Sequence, residues 1–484
     1  MRMRIALLNP PTPASETWVR EGRCQQLDIW GAPYPPLTLA SIAGQLAPDG
    51  DCLIVDSGPA GLDLEATLGR VAAFGPNLAI VATATPTIAT DLSWFADALK
   101  QRLPDSRIAA IGIHVSCLPA ETLRDFPAVD YILRGEVELT CRELVRALAD
   151  GARDLRHITG LAFRDADTIV LNAPRAFLED LDALALPAWP GVDFGQYRLP
   201  ILDVPFNLLA FARGCPFHCA FCNAGVYYGK KLRRRSPESL IREIRQNIRE
   251  LGVRDFLFLT ESSTLDPASL RRFLALLRKE GLHRQIRWVS NSRVDVADTG
   301  LFREMREAGC WQVAFGLEFG TDRMLRLARK GGKATLATAR ETVRAAVAAG
   351  IIADGHFIMG YPGETADDLR QTIAFARSLP LTFAHFYAAA PFPGSRLYEE
   401  AVASGALAGQ NWRSINQHRS SLGTGHLDPE TVDRFIALAY RRFYFRPRTV
   451  LRMLRIPRRP VEYATLFVKG IRFAWDVLVK TLRH

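Results

Sequence analysis

The chain has 484 residues, 48% of them apolar and 23% charged, and its formal net charge is +10. This length predicts more than one domain, the composition is that of a globular protein, and eight cysteines are too few for a disulfide framework. No apolar run is long enough to span a bilayer, and the N-terminus lacks the features of a signal peptide, so we expect a cytoplasmic protein.

Residues 1–150 alternate short apolar runs with amphipathic stretches, which predicts a doubly wound α/β domain built on a parallel sheet. Ligands bind such sheets at the carboxyl ends of the strands, and the residues that follow the strands here are small and polar. The predicted strands are 4–8, 51–55, 78–82, 107–112 and 130–133, and the small polar segments are 56–61, 83–87 and 112–116.

Residues 151–200 are predicted to form a linker with a short hairpin, because 173–200 is rich in proline and acidic residues. Strand–helix alternation then resumes over 201–400. Six strands in this order predict an open, partial (β/α)6 barrel with functional residues at the strand C-terminal ends. The predicted strands are 206–212, 256–259, 286–289, 312–315, 352–358 and 383–389.

Three cysteines lie within eight residues after the first of these strands: Cys215, Cys219 and Cys222. Gly214 and Pro216 favour a loop over a continuing helix. Three thiolates can ligate three irons of a [4Fe–4S] cluster and leave the fourth iron open. A structural zinc site is the alternative, but it needs a second cysteine pair, and none lies nearby in the sequence.

This motif, with Phe221 before its last cysteine, resembles the signature of radical S-adenosylmethionine (SAM) enzymes. The resemblance implies an oxygen-sensitive cluster that takes one electron from a donor such as flavodoxin or ferredoxin. It also implies that SAM chelates the open iron and is cleaved to methionine and a 5′-deoxyadenosyl radical. In that family, polar residues at the strand ends bind SAM, and the matching positions here are Glu261, Ser290, Arg293 and Glu318.

Residues 1–150 resemble the cobalamin-binding domain that precedes the barrel in one radical SAM subgroup. Cobalamin enzymes with a histidine lower ligand carry a DxHxxG motif. In this chain Asp56, Gly58 and Gly61 occupy that frame, so glycine replaces the histidine. The resemblance therefore implies cobalamin without a lower ligand from this position, or a degenerate domain without the cofactor. The other expected cofactor contacts are Thr83, Thr85, Gly112 and His114.

The chain is similar to hopanoid-associated radical SAM proteins and to the anaerobic cyclase of magnesium-protoporphyrin monomethyl ester. This similarity implies cobalamin-dependent methylation of an unactivated carbon in a hydrophobic small molecule. The alternative is radical cyclisation or ring rearrangement of a polycyclic or lipid-like substrate. A tRNA methylthiotransferase is the rival, but it needs three more cluster cysteines in its N-terminal domain, and Cys24, Cys52 and Cys117 are widely separated here. Cys310 is interpreted as a core thiol. His114, His218 and His356 are possible ligands or acid–base groups, although a lone histidine is more often a hydrogen-bonded structural residue.

Residues 401–484 are predicted to be helical, with a basic tail. Residues 440–484 hold twelve of the 61 Lys and Arg residues and two of the 51 acidic residues, so the rest of the chain carries 49 of each sign. A neutral body argues against a nucleic-acid partner. In the tail, basic residues alternate with aromatic and aliphatic ones, which predicts either peripheral membrane contact or a helical cap on the barrel.

Overall fold

The computed structural model describes residues 2–13, 18–21, 25–26, 32–295 and 298–482. Its N-terminal part contains strands joined by helices. In chain order they are β1 (Met3–Asn9), β2 (Trp18–Val19), β3 (Gln25–Gln26), α1 (Leu37–Leu46), β4 (Gly50–Asp56), α2 (Leu64–Phe74), β5 (Leu78–Ala82), α3 (Ala96–Arg102), β6 (Arg107–Ile111), α4 (Ile113–Cys117), α5 (Pro119–Asp125), β7 (Tyr131–Leu133), α6 (Val137–Ala149), β8 (Leu161–Asp165) and β9 (Thr168–Leu171).

Seven of these strands form one sheet in the order β4-β1-β5-β6-β7-β8-β9. The first five strands are parallel, and both faces of the sheet are covered. Alternate residues of β1 enter two different cores: Ile5 and Leu7 pack on one face, Ala6 and Leu8 on the other. The hairpin formed by β8 and β9 adds to this sheet because β8 pairs antiparallel with β7. The sheet therefore runs on to Leu171, past the predicted boundary at residue 150.

A second set of alternating elements follows. It comprises β10 (Phe206–Ala210), β11 (Ala212–Arg213), α7 (Ala224–Tyr227), β12 (Arg233–Arg234), α8 (Pro237–Gln246), β13 (Asp255–Leu259), α9 (Pro267–Lys279), β14 (Arg287–Arg293), α10 (Thr299–Glu307), β15 (Cys310–Glu318), α11 (Asp322–Leu327), α12 (Leu336–Ala348), β16 (Ile352–Met359), α13 (Ala366–Ser378) and β17 (Phe383–Ala388).

Six of these strands form a parallel sheet in sequential order, β10-β13-β14-β15-β16-β17, as expected for a partial (β/α) barrel. Three strands differ from the prediction by more than one residue at an end, and one of them is β15, predicted at 312–315, which spans Cys310–Glu318. The strand predicted at 206–212 ends at Ala210, because Phe211 stacks on Phe258 at 5.5 Å and the next two residues pair with β12 instead. The strand predicted to end at residue 289 continues to Arg293, paired with β15.

Several helices of this barrel begin at a side-chain cap, as the sequence of α8 predicts. The Ser236 hydroxyl accepts a hydrogen bond from the Ser239 amide at 3.1 Å, and Pro237 takes the first helical position. Thr365 caps α13 in the same way and forms a reciprocal capping box with Asp368. These caps fix where each strand–helix loop ends, so they also fix the rim of the barrel.

Buried ion pairs join the N-terminal sheet to the start of the barrel. Arg233 on β12 makes two hydrogen bonds to the Glu136 carboxylate, at 2.7 and 2.8 Å, and both side chains are almost fully buried. Arg213 on β11 pairs in the same region with Glu138 on α6. Removing one partner of such a pair leaves an uncompensated buried charge, which costs about 3–5 kcal/mol. The two parts of the chain are therefore held in a fixed relationship.

The C-terminal region contains helices, with a segment of turns and bends between Ser404 and Asp428. Its helices are α14 (Arg396–Ala403), α15 (Pro429–Tyr444), α16 (Pro447–Met453) and α17 (Pro460–Leu482). Helix α15 packs on β17, where the Tyr444 hydroxyl lies 3.1 Å from both the amide nitrogen and the carbonyl oxygen of Ala384. Within the described residues, none of the helices combines the length and the apolarity needed to cross a bilayer.

Candidate functional site

The cysteine motif forms a loop between β11 and α7. Gly214 opens this loop with φ of +92°, and a Cβ atom there would lie 2.1 Å from the carbonyl oxygen of Lys231. Only glycine fits this position without moving the backbone. The chain therefore turns at the first cysteine and does not continue as a helix, as Gly214 and Pro216 predict.

The three thiols of this loop lie in one partly buried cluster. Burial raises the pKa of the Cys215 thiol to about 11, and negative charge on Glu261, Cys222 and Cys219 raises it further. Burial likewise raises the pKa of Cys219. Cys222 Sγ accepts a hydrogen bond from the Ala224 amide at 3.5 Å. Such thiols release their protons on binding iron, and three of them in one loop fit a cluster with one open iron.

Arg293 at the end of β14 is fixed against this loop. Its guanidinium carbon lies 3.6 Å from the centre of the Phe217 ring, and its Nη1 lies 3.8 Å from Cys219 Sγ. Two further bonds of 2.9 Å join it to the Asp295 carboxylate, and it donates to the carbonyl oxygen of Lys330 at 3.1 Å. Arg293, predicted to contact SAM, therefore positions the cysteine loop and brings positive charge to it.

A second cation beside the loop is Lys330, which the sequence analysis missed. Its side chain is buried, and its Nζ lies 2.5 Å from Glu318 Oε1. Positive charge on Lys330 lowers the pKa of Cys219 against the larger effect of burial. Glu318 has φ of +64°, a left-handed conformation that is rare outside glycine, and here it turns the chain at the end of β15. A lysine followed by Gly331 and Gly332 was the only sequence signal for this site.

Strand β14 separates two residues that the sequence places side by side. Ser290 is buried on the same face as Trp288, which belongs to the hydrophobic core outside the barrel. Asn291 lies on the opposite face, where its Nδ2 donates to the carbonyl oxygen of Thr260 at 2.5 Å. Its Oδ1 is buried and has no hydrogen-bond partner among the described residues. The Ser290 hydroxyl is also buried without a partner among the described residues, so only the opposite direction of the two side chains favours Asn291 over Ser290 as a ligand-binding residue.

An open cavity lies between the two parts of the chain, and its space, solvent at the mouth included, is about 900 Å³. The N-terminal sheet and the barrel both line it, and Glu261 reaches it from the end of β13. Predicted cofactor contacts on its wall are Thr83, Thr85, Gly112, His114 and Glu261, joined by Asn9, Arg20, Glu21, Thr38, Asn223, Tyr227 and Tyr228. A second cavity of about 530 Å³ shares Glu21, Thr38, Tyr228 and Glu261 with the first.

Gly112 shapes the floor of the larger cavity. Its φ is +135°, and a Cβ atom there would lie 2.1 Å from the Thr83 carbonyl oxygen. Beside it, the Thr83 hydroxyl is buried without a hydrogen-bond partner among the described residues. A floor of bare backbone next to an unpaired hydroxyl suits a large flat ligand that approaches the strand ends closely.

His114 lines the same cavity. Its Nδ1 lies 3.2 Å from the Thr85 hydroxyl, and its ring contacts Trp412 edge to face, with 4.5 Å between the ring centres. Burial lowers the pKa of His114 to about 3, so the imidazole is neutral at neutral pH.

The turn that carries Asp56, Gly58 and Gly61 does not line this cavity. Asp56 accepts a hydrogen bond from the Tyr197 hydroxyl at 2.7 Å, and burial raises the pKa of its carboxyl to about 6. Gly58 and Gly61 are exposed. The structure therefore separates these three residues from the other predicted cofactor contacts.

The remaining described cysteines do not gather into a second cluster. Cys52 lies beside Cys141, Cys117 contacts the carbonyl oxygen of Pro393, and Cys310 is fully buried in the barrel core. Burial raises the pKa of the Cys52 thiol to about 12 and that of Cys117 to about 11. Cys24 lies outside the described residues.

Comparisons with known proteins agree with this geometry. The family model of the radical SAM superfamily matches residues 209–376. An uncharacterized methyltransferase of Pyrococcus horikoshii is 31% identical over 450 residues, which cover 93% of this chain and 94% of that protein. The anaerobic magnesium-protoporphyrin IX monomethyl ester cyclase of Cereibacter sphaeroides is 28% identical, covering 76% of this chain and 60% of the cyclase.

A solved structure gives a similar fold. The radical SAM methyltransferase TsrM from Kitasatospora setae, determined with cobalamin and a [4Fe–4S] cluster bound, superimposes with a TM-score of 0.69 at 19% identity. The match covers 85% of this chain and 79% of TsrM. At this identity the likeness concerns the fold alone.

Proposed function

The chain belongs to the radical SAM superfamily of enzymes, and from that premise we propose that it is a cobalamin-dependent methyltransferase acting on an unactivated carbon of a hydrophobic small molecule. One observation carries the proposal. A single cavity of about 900 Å³ is lined both by the strand ends of the N-terminal sheet and by Glu261, which lies close enough to Cys215 to affect the pKa of its thiol. A ligand bound on the N-terminal sheet and a ligand bound beside the cysteine loop would therefore face the same cavity.

The residues of the chain divide between two cofactors in this proposal. When bound, the cluster supplies the electron that cleaves SAM, and cobalamin supplies the methyl group. Cys215, Cys219 and Cys222 would hold the cluster, while Arg293 keeps their loop against β14. Glu261 and Asn291 are the groups that could bind the polar part of SAM, since both lie at strand ends on the open side of the barrel.

Cobalamin would occupy the cavity over Thr83, Thr85 and Gly112. These residues and the neutral His114 beside them would hold it, and Gly58, which stands in the frame of the usual histidine, lies outside the cavity. The His114 Nδ1 already faces the Thr85 hydroxyl, and its ring packs on Trp412. We therefore expect no nitrogen ligand on cobalt from the protein. Division into a cobalamin-binding-type domain (1–150), a linker (151–200), a radical SAM domain (201–400) and a helical C-terminal region (401–484) is part of the same proposal.

Anaerobic purification tests the cofactor content first. Iron, sulfide and cobalamin are quantified in the reconstituted protein, and we expect four irons and one cobalamin per chain. The paramagnetic resonance spectrum of Co(II) should lack nitrogen coupling. Nitrogen coupling that disappears in His114→Ala would show a histidine ligand, and failure to bind cobalamin while the cluster forms would refute the cobalamin part of the proposal.

The relative with cyclase activity supports a second candidate function. Cyclisation or rearrangement needs the radical step but no methyl transfer. Isotope-labelled SAM separates the two functions: with a reduced flavodoxin as electron donor, methylation moves a deuterated methyl group into the product, whereas cyclisation leaves the product unlabelled. Candidate hydrophobic substrates would be incubated with the labelled SAM, and the products would be analysed for a labelled methyl group and for a new ring.

Peripheral membrane contact is the final part of the proposal, and α17 supports it. One face of this helix packs on the protein, where Leu466 is buried and Phe473 contacts Tyr444 with 4.8 Å between ring centres. The other face exposes large apolar side chains, and a run of arginines precedes the helix in the chain. The exposed residues are Val461, Tyr463, Phe467, Val468, Ile471 and Trp475, and the arginines are Arg448, Arg452, Arg455, Arg458 and Arg459. Apolar and basic groups side by side favour an interface with anionic lipid.

Sedimentation with liposomes tests this contact. Removal of everything after residue 440 would expose the core, because Phe443 and Tyr444 are buried, so point substitutions are preferable. The double variant Phe467→Ser, Ile471→Ser should lose binding to anionic vesicles. Val402→Ser removes an equally exposed apolar side chain from α14 and is the control. Equal sedimentation of all three proteins would refute membrane contact through α17.

A further inference from the structure

Three potential metal ligands lie together on two neighbouring barrel strands. Asp354 and His356 are two residues apart on β16, so they share one face of the sheet. Parallel pairing of β16 with β17 places His385 directly opposite His356. From the sequence, His356 is a possible ligand but looks isolated, because the strand pairing that brings His385 beside it is not visible in the chain.

The distances between these groups suit a single small cation. Asp354 Oδ2 lies 3.5 Å from His385 Nε2 and 3.7 Å from His356 Nε2. One ligand atom from each residue lies within 4.8 Å of the others. Around a tetrahedral ion with bonds of about 2.0–2.1 Å, ligand atoms are about 3.3–3.4 Å apart. The observed carboxylate–imidazole separations exceed this by only a few tenths of an ångström.

Only one oxygen of the Asp354 carboxylate has a hydrogen-bond donor among the described residues. Asp354 is 5% exposed, and its Oδ2 accepts from Gln312 Nε2 at 3.2 Å. Its Oδ1 is buried and has no hydrogen-bond partner among the described residues. The Oδ2 atom faces the two imidazoles, and the unpartnered Oδ1 is the other oxygen of the same carboxylate. A buried carboxylate oxygen without a partner is unusual for a purely structural cluster. An amide that orients a carboxylate from outside is common around metal sites.

The site also has room for a further ligand. The side chains of His356 and His385 are 33% and 15% exposed, so the cluster is accessible on the histidine side. Tyr387 follows His385 on the same face of β17 and stacks on it, with 5.9 Å between ring centres. Two histidines and one carboxylate with an open position are typical of catalytic zinc and of non-haem iron(II) sites.

We propose that Asp354, His356 and His385 form a binding site for one divalent transition-metal ion of the zinc and iron(II) class, separate from the cysteine loop. The ligand set is two imidazole nitrogens and one carboxylate oxygen, which disfavours Mg²⁺ and Ca²⁺ because these ions prefer oxygen ligands alone. This site is independent of the proposed methyl transfer, since its residues are neither cluster nor cobalamin contacts.

Metal analysis of full-length protein tests the proposal without an activity assay. The triple variant Cys215→Ala, Cys219→Ala, Cys222→Ala removes the other metal-binding thiols. After exposure to one equivalent of Zn²⁺ and gel filtration, it should retain about one zinc per chain. Zinc X-ray absorption should show nitrogen and oxygen neighbours and no sulfur. Iron(II) added anaerobically to the same variant would show which ion is preferred.

Adding Asp354→Asn and His385→Gln to this triple variant should remove the metal, while His157→Gln, on an exposed histidine of the N-terminal part, should not. Unchanged circular dichroism would show that the fold persists. Zinc should raise the melting temperature of the His157→Gln variant and leave that of the Asp354→Asn, His385→Gln variant unchanged. Zinc bound equally by all variants, sulfur in the coordination shell, or no retained metal in the triple variant would each overturn the proposal.

Discussion

The Arg293 guanidinium lies over the Phe217 ring, with 3.6 Å between the guanidinium carbon and the ring centre. Phe217 belongs to the cysteine loop and Arg293 to the end of β14, so this contact couples a loop of few internal hydrogen bonds to a rigid strand. The same arginine reaches Cys219 Sγ and the backbone of Lys330 and Gly331. Cluster geometry therefore depends on a residue that is not a ligand.

Substitution of Arg293 should change both the content and the potential of the cluster. Arg293→Met removes a positive charge beside Cys219, and we expect a reduction potential more negative by on the order of 60 mV, equivalent to tenfold in a one-electron equilibrium. Arg293→Lys keeps the charge but loses the planar stack and the paired bonds to Asp295, so it should lower iron content more than potential. A redox titration followed by paramagnetic resonance measures the cluster potential of each variant. Identical potentials in wild type and Arg293→Met would show that the Arg293 charge does not affect the cluster.

Single replacement of Cys215, Cys219 or Cys222 by Ala should reduce 5′-deoxyadenosine formation to background after anaerobic reconstitution. The fold should remain, because ligands on a loop contribute little to the core. Cys52→Ala is the matched control, since Cys52 is a partly buried thiol on β4 outside the loop. Parental product formation by any of the three loop variants would show that the cluster assignment is wrong.

Gly112→Ala should abolish cobalamin binding and leave the cluster intact. Its Cβ would lie 2.1 Å from the Thr83 carbonyl oxygen, so the two strand ends would have to separate and the cavity floor would move. Gly61→Ala is the control, because Gly61 also has positive φ but no atom within 4 Å of the added Cβ. Visible spectra of both reconstituted variants measure bound cobalamin. Full occupancy in Gly112→Ala would disprove the proposed floor.

Glu364 should make stability depend on pH. Burial raises the pKa of its carboxyl from 4.5 to about 8, although Oε2 accepts bonds from the Gly360 and Tyr361 amides at 2.6 and 3.1 Å. The folded protein holds the proton more tightly than the unfolded chain, so this contribution is complete below pH 4.5 and is lost as pH rises through about 8. Denaturant unfolding between pH 5 and 8.5 should show wild type losing stability relative to Glu364→Gln. Parallel curves would contradict the raised pKa.

Arg233→Met should destabilise the protein by up to about 3–5 kcal/mol, because the buried Glu136 carboxylate loses its closer partner and keeps only Arg213, at 3.4 Å. Lys231→Met nearby breaks an exposed ion pair with Glu179 and should cost about 0–1 kcal/mol. Urea unfolding of the two variants compares a buried with an exposed pair on neighbouring residues. Equal losses of unfolding free energy in the two variants would mean that Arg233 does not join the two parts of the chain.

Much of the architecture was readable from hydrophobic periodicity. The strand predicted at 78–82 has those bounds in the structure, and the six barrel strands occur in the predicted order. Gly214 and Pro216 correctly placed the cysteines on a loop. These features depend on local sequence, where burial and backbone restrictions leave a strong pattern.

Side-chain direction at the strand ends could not be read in the same way. Because β14 was predicted to end at residue 289, Ser290 was treated as a loop residue, but the strand runs to Arg293 and alternation turns Ser290 away from Asn291. The places of Lys330 and His385 in these two sites result from contacts with other strands of the barrel. Neither lies in a local pattern, so only the folded chain brings them to Glu318 and His356.

The buried ion pairs between Arg233 and Glu136 and between Arg213 and Glu138 bear on how a ligand would enter the cavity. They tie the N-terminal sheet to the start of the barrel, so the spacing between the two walls is set by the fold before any ligand arrives. A ligand would therefore meet a preformed space, and its binding should leave the relative position of the two walls unchanged.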